Sequence, residues 1–200
     1  MNSNNFQLNI AAELPESAVN GPGIRYTIWV QGCPFRCSGC FNPDFQPFVE
    51  NKLVHISSLA NRILSIKTIE GATYTGGEPL MQCEALVALN NILIKKGLSI
   101  VSYSGYTLGE LQTKNNPMIN EFLSQIDILI DGQYQEANKA NLLWRGSSNQ
   151  HVHFLTDRYS EYQRKINAGG EIELIVGNEN ITYSGILQNE IISKLQNLMK

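Results

Sequence analysis

Two hundred residues, 42% of them hydrophobic, are enough for one domain around a single core. Fifteen basic against eighteen acidic side chains leave a net charge of -3, which offers no electrostatic handle for nucleic acid or an anionic membrane. Residues 1–20 lack a basic stretch followed by an apolar one, and no apolar run approaches a membrane span, so the chain reads as cytoplasmic.

Four cysteines in a reducing compartment do not form a disulfide framework. Three of them, Cys33, Cys37 and Cys40, crowd into eight residues, while Cys83 stands alone. That asymmetry favours a site over a covalent staple.

In chain order, the β-branched and aromatic run 24–31 predicts a strand that leads directly into the cysteine loop. Leu59, Ile63, Ile66 and Ile69 recur at helical spacing and predict a helix over 57–69, capped by Ser57 or Ser58. A short strand ending at Thr75 runs into Gly76-Gly77-Glu78-Pro79. A helix over 80–96 comes next, with Leu86, Leu89 and Leu93 on one stripe and Lys95-Lys96-Gly97 at its close. Residues 98–103 predict a strand, Thr107 to Glu110 a capping box, and Pro117 a further helix start. Residues 126–131 are apolar towards both faces, as a strand covered on both sides must be. This alternation predicts a parallel sheet within one α/β domain. Beyond residue 135 the pattern weakens. Residues 136–150 read as loop, 151–155 and 171–176 as strands, 177–185 as a turn, and 186–199 as an amphipathic helix.

Three thiolates spaced by three and then two residues can wrap one corner of a 4Fe–4S cube and leave one iron without a protein ligand. Two alternatives stand beside this reading. Structural zinc needs a fourth ligand, from Cys83, His55, His151 or His153, but none of these lies in a second paired cluster. A ferredoxin-type electron carrier would need Cys83 as its fourth thiolate. The bland reading of Cys83 is a packed thiol on a helix, and that of His55 is a surface residue.

GPGIR (21–25), CPFRCSGCFNP (33–43) and TGGEP (75–79) resemble the radical S-adenosylmethionine (SAM) superfamily. SYSGYT (102–107), IDILIDGQY (126–134) and WRGSSNQ (144–150) are similar to later motifs of the glycyl-radical-enzyme activating proteins, in particular the group that serves anaerobic ribonucleoside-triphosphate reductase. The resemblance covers about residues 20–155 and leaves 156–200 as an extension without an assignable motif.

The resemblance implies a shortened, incomplete (β/α) barrel with its site at the C-terminal ends of the strands. It implies that Cys33, Cys37 and Cys40 ligate three irons, and that SAM chelates the fourth. Gly39, Cys40 and Phe41 would meet the adenine end, and Gly76, Gly77 and Glu78 the methionine amino group. Ser102, Ser104 and Asp131, at strand ends on one face, would bond the carboxylate or ribose of SAM. An ordinary strand-end role is the alternative for each serine. Gly39 stands where many superfamily members carry an aromatic residue, and the Ser38-Gly39 pair is closer to the reductase-activating group.

The implied reaction is reductive cleavage of SAM to a 5′-deoxyadenosyl radical, which takes a hydrogen from a backbone glycine of a partner enzyme. A one-electron donor such as flavodoxin or ferredoxin is the second expected partner. Trp144 and Arg145 are candidates for the docking surface, against the plainer reading that Trp144 covers the sheet. Modification of a peptide or small molecule, and a non-catalytic metal-binding or electron-carrier module, are the rival functions.

Overall fold

A computed structural model of the chain describes residues 6–176 and 181–186. The chain opens with β1 (Gln7–Ser17), β2 (Arg25–Val30) and β3 (Lys52–His55). Then come α1 (Ile56–Ser65), β4 (Gly71–Gly76), α2 (Cys83–Leu93) and β5 (Ser99–Ser104). Two short helices, α3 (Leu108–Thr113) and α4 (Pro117–Gln125), precede β6 (Ile128–Asp131). The remainder holds β7 (Lys139–Leu142), β8 (Arg145–Ser147), β9 (His151–Phe154), β10 (Ile172–Val176) and β11 (Ile181–Gly185).

Seven strands form one sheet in the order β3-β1-β2-β4-β5-β6-β9. The four central strands β2, β4, β5 and β6 run parallel, with antiparallel β1 and β9 flanking them. Among the described residues the sheet stays open, with β3 and β9 as its edges, so the expected incomplete barrel is not closed. Parallel strands all end on the same edge. The loops after β2, β4, β5 and β6 therefore emerge side by side, which brings together four motifs spread over a hundred residues of chain.

Strand alternation sorts the side chains into two cores. Tyr26, Ile28 and Val30 of β2, Ala72 and Tyr74 of β4, Ile100 and Leu129 face the helices and pack on Leu59 and Ile63 of α1, Leu86 and Leu89 of α2, and Phe122 of α4. Val101, Ile128 and Ile130 face the other way, under Leu143, Trp144 and Tyr159. Trp144 is therefore buried cover for the sheet and not a docking residue; it stacks on Tyr162 at 5.5 Å. Arg145 is buried too, and its guanidinium donates to Gln150 O, Ile166 O and Asn167 Oδ1.

The Thr107–Glu110 capping box forms as expected. Asn116 caps α4 ahead of Pro117, and Gly97 closes the α2 segment at φ 82°. Four readings change. The first helix ends at Ser65, so Ile66 and Ile69 lie beyond it. The cap position of α1 is His55, with no side-chain cap, because the β3 strand hands directly into the helix. The segment 136–150 folds into the β7–β8 hairpin, and 181–185 is not a turn but β11, paired antiparallel with β10. The predicted helix over 186–199 lies outside the described residues apart from Ile186, which is not helical.

Candidate iron–sulfur site

The cysteine loop is tied down at both ends. Gly32 N donates to Phe45 O and Cys33 N to Gln46 O, each at 2.9 Å, so the loop closes on itself around Cys33, Cys37 and Cys40. Gln31 Nε2 donates to Pro47 O at 2.7 Å. Gln82, a residue that no motif singled out, clasps the base of the loop: its amide donates to Asn9 O and Gln31 O and accepts from Asn9 N.

Each later motif reaches this loop physically. Gly77 N donates to Val30 O and Glu78 N to Gly32 O, so the Gly-Gly-Glu turn continues the β2–β4 ladder onto the first residues of the loop. Gly105 lies against the Phe35 ring with no room for a Cβ, and Tyr106 packs edge-on to Phe35 at 4.8 Å. Tyr134 packs edge-on to Phe41 at 5.0 Å, and a Cβ on Gly146 would stand 2.6 Å from the same ring. Asn149 and Gln150 donate to the Gln133 and Gly132 carbonyls and lock the WRGSSNQ segment onto the Gly132–Tyr134 turn.

The glycine pair is required by the packing of the fold itself. A Cβ on Gly76, at φ +96°, would stand 2.7 Å from Trp29 Cα, and one on Gly77 would overlap the Gly32 carbonyl. The close approach is strand to strand, between the glycine turn and the cysteine loop.

Glu78 is buried, with 1% exposure. Its carboxylate accepts from Leu80 N, Gly105 N and Ser104 Oγ. Burial outweighs these donors and pushes its pKa up to about 7. Ser104 and Asp131 stand in register on neighbouring strands. With Ser102 they share a face, but it is the helix side of the sheet. The Ser102 hydroxyl is buried and donates to Tyr103 O. Asp131 Oδ2 accepts from Leu108 N at 2.6 Å and pairs with His153 Nε2 at 2.8 Å, while its buried Oδ1 makes no hydrogen bond.

Opposite that face lies a cavity of about 690 Å³. Gly39, Cys40 and Phe41 line it together with Trp29, Thr75 and Tyr103 from the inner side of the sheet. A space of this size lies within the range that encloses small organic ligands. Gly39 adopts φ 71° beside Tyr134 and Glu136, and Ser38 Oγ donates to Glu136 Oε2 at 3.1 Å.

The donor set fits a cluster. The three loop thiols are free and half-buried. Burial pushes Cys33 up to about 11, with Glu78, Cys37 and Cys40 adding repulsion, so thiolates here call for positive charge. Among the described residues no three His, Cys, Asp or Glu side chains converge as a single ion requires. A cube asks instead for one thiolate on each of several irons. Cys83 is buried on α2 and bonds Met118 O, away from the loop.

Residues 19–153, about two thirds of the chain, match the family model described as a 4Fe–4S single cluster domain. That description favours iron–sulfur over the zinc alternative. An anaerobic ribonucleoside-triphosphate reductase-activating protein of Pasteurella multocida is 32% identical over 164 residues, 78% of this chain and 100% of the relative. Its namesake from Escherichia coli K12 is 33% identical over 159 residues, 74% of this chain and 99% of the relative. The one from Enterobacteria phage T4 is 32% identical over 153 residues, covering 72% and 92%. Among solved structures, QueE from Escherichia coli overlaps 51% of this chain and 53% of its own at TM-score 0.38 and 21% identity, too little to bear on the chemistry.

Proposed function

Because the chain belongs to the family of anaerobic ribonucleoside-triphosphate reductase-activating proteins, we propose that it generates a glycyl radical on a partner reductase of that kind. When bound, a 4Fe–4S cluster with SAM supplies the reductive cleavage of SAM that yields a hydrogen-abstracting 5′-deoxyadenosyl radical. Cys33, Cys37 and Cys40 hold three irons. Gly39 to Phe41, on the cavity wall, would meet the adenine end, and the Gly76–Glu78 turn would take the methionine amino group.

The chain's own work is placement. Phe35 and Phe41 are wedged between Tyr106, Gly105, Tyr134 and Gly146, which fixes both ends of the cysteine loop. Glu78, Ser104 and Asp131 brace the turns that carry those aromatics, with their polar atoms directed into protein. Ser102 serves the strand itself. No side chain is needed as a general base, because hydrogen-atom transfer leaves no proton to remove. The loop thiols are only half-buried, which suits electron delivery from a small one-electron donor of flavodoxin or ferredoxin type.

The observation that carries this reading is the convergence of the motifs after β4, β5 and β6 on the one cysteine loop that follows β2. Anaerobic incubation of the reconstituted protein with the reductase, SAM and a reductant should give a glycyl radical doublet by electron paramagnetic resonance. A protein with full cluster content that never produces the doublet would refute the assignment. Among the described residues no helix is long and apolar enough to cross a membrane.

A further inference from the structure

The family model ends at residue 153, and the relatives are matched over 92–100% of their own length while roughly a quarter of this chain stays outside the match. Residues after 153 lie outside the part of the chain that the family model covers. Yet the described part of the extension is built into the molecule. Tyr159 is buried against the inner face of the sheet with its hydroxyl bonded to Ser99 Oγ at 2.7 Å. The β10–β11 hairpin is pinned to the turn after β1: the Glu173 carboxylate accepts from Ser17 Oγ and from Ala18 N, and Asn20 Nδ2 donates to Ser184 Oγ at 2.6 Å.

Pinned there, the hairpin borders the cavity. Thr182, Tyr183, Ser184 and Gly185 line it alongside Cys40 and Phe41. Among the described residues, one face of the hairpin is apolar and exposed. Leu174 stands opposite Tyr183 in the antiparallel register, with Val176 on the same face, and their exposures are 43%, 51% and 75%. These are three of the ten large hydrophobic side chains that the described residues expose. Such a patch at the rim of a site marks an interaction surface.

We propose that the β10–β11 hairpin is a partner-selecting element that docks the reductase and aligns its glycine segment with the cavity. This rests on the function proposed above, and the occupant is argued from continuity. A reaction on a polypeptide backbone requires that polypeptide to pass the cavity rim, and the exposed apolar face is contiguous with that rim through Tyr183. Glu173 faces the core side and holds the hairpin in place, whereas Leu174 and Val176 touch the partner.

The test compares the reconstituted proteins, with SAM withheld while affinity is measured, so that binding is read apart from chemistry. Affinity for the reductase is measured by interferometry for the wild type, for the double variant Leu174→Ala/Val176→Ala, and for Glu173→Ala, with sedimentation of each protein alone. The double variant should bind roughly fivefold more weakly, with an unchanged melting temperature and unchanged SAM cleavage in the absence of reductase. Glu173→Ala should weaken binding and raise hydrogen exchange across residues 172–176. Equal affinity for all three proteins would overturn the proposal and make the extension a brace. So would a change in self-association with no change in reductase affinity. A wild type that gives no glycyl radical on the reductase removes the functional reading itself, which the resonance experiment reports separately.

Discussion

The carboxyl of Glu78 is held by three donors inside the protein and still lies near neutrality, because burial costs the charged form more than those donors return. Its pKa rises from 4.5 to about 7 on folding. Between those values the folded state keeps a proton that the unfolded chain has lost, so stability falls as pH rises through the window. A shift of this size corresponds to roughly 3 kcal/mol at the upper end. The cluster-free protein should therefore melt at a higher temperature near about pH 5.5 than near about pH 8, and Glu78→Gln should flatten much of that slope. A slope unchanged in the variant would assign the linkage to other groups. The cysteines give a second test at this scale. Cys33→Ala, Cys37→Ala or Cys40→Ala should fail to retain iron after anaerobic reconstitution. Cys83→Ala should keep it and lose only about 1 kcal/mol of stability from a buried thiol. Iron loss in Cys83→Ala would overturn the ligand set.

Among the elements, the glycine turn after β4 and the short helix α3 make opposite forecasts. Gly77→Ala would push a methyl group into the Gly32 carbonyl, backbone against backbone, with no flexible end to give way. The expected cost is about 2–3 kcal/mol, read as a lowered urea midpoint. Gly109 lies inside α3 with open space where its Cβ would be. Gly109→Ala should raise the midpoint, with a gain in stability of roughly 0.5–1 kcal/mol. The same scale explains what could be read from sequence alone. The parallel core was legible because each of its strands carries a run that is apolar or β-branched, as in 126–131, and its helices carry start and stop signals such as Thr107, Pro117 and Gly97. β1 was not, since Gln7–Ser17 mixes Glu, Asn, Ala and Pro, and register shifts against β2 break its alternation. Its strand identity comes from the neighbours on either side. β11 hid behind the turn-forming residues that precede it, and its pairing with β10 supplies what its composition does not. At the site, the cysteine spacing was open to direct reading. The packing reason for Gly76, Gly77, Gly105 and Gly146 was not, because it depends on which aromatic or carbonyl the fold brings opposite each one.

For the whole molecule, the question is whether the extension is a separate appendage or part of the cooperative unit. The inner face of the sheet carries Val101, Ile128 and Ile130, which would be open to water without the Leu143–Trp144 corner and Tyr159 above them. Tyr159 also connects to the far end of the sheet. Ser99, its hydroxyl partner, accepts from the fully buried Arg25, whose guanidinium donates as well to Pro22 O, Ala72 O and Thr73 Oγ1. That network spans β2, β4 and β5 at the end opposite the cysteine loop, and it satisfies a buried cation with neutral acceptors alone. Removing the hydroxyl takes away one hydrogen bond, whereas removing the ring opens a cavity over the sheet. Tyr159→Phe should cost about 1 kcal/mol and Tyr159→Ala about 3–5 kcal/mol, both in one transition that unfolds core and extension together. The measurement is urea unfolding tracked in parallel by tryptophan fluorescence and far-ultraviolet circular dichroism. Coincident curves with the larger loss in Tyr159→Ala make the extension a structural wall of the sheet. A Tyr159→Ala protein as stable as the wild type would mean that the extension rides on the core without supporting it.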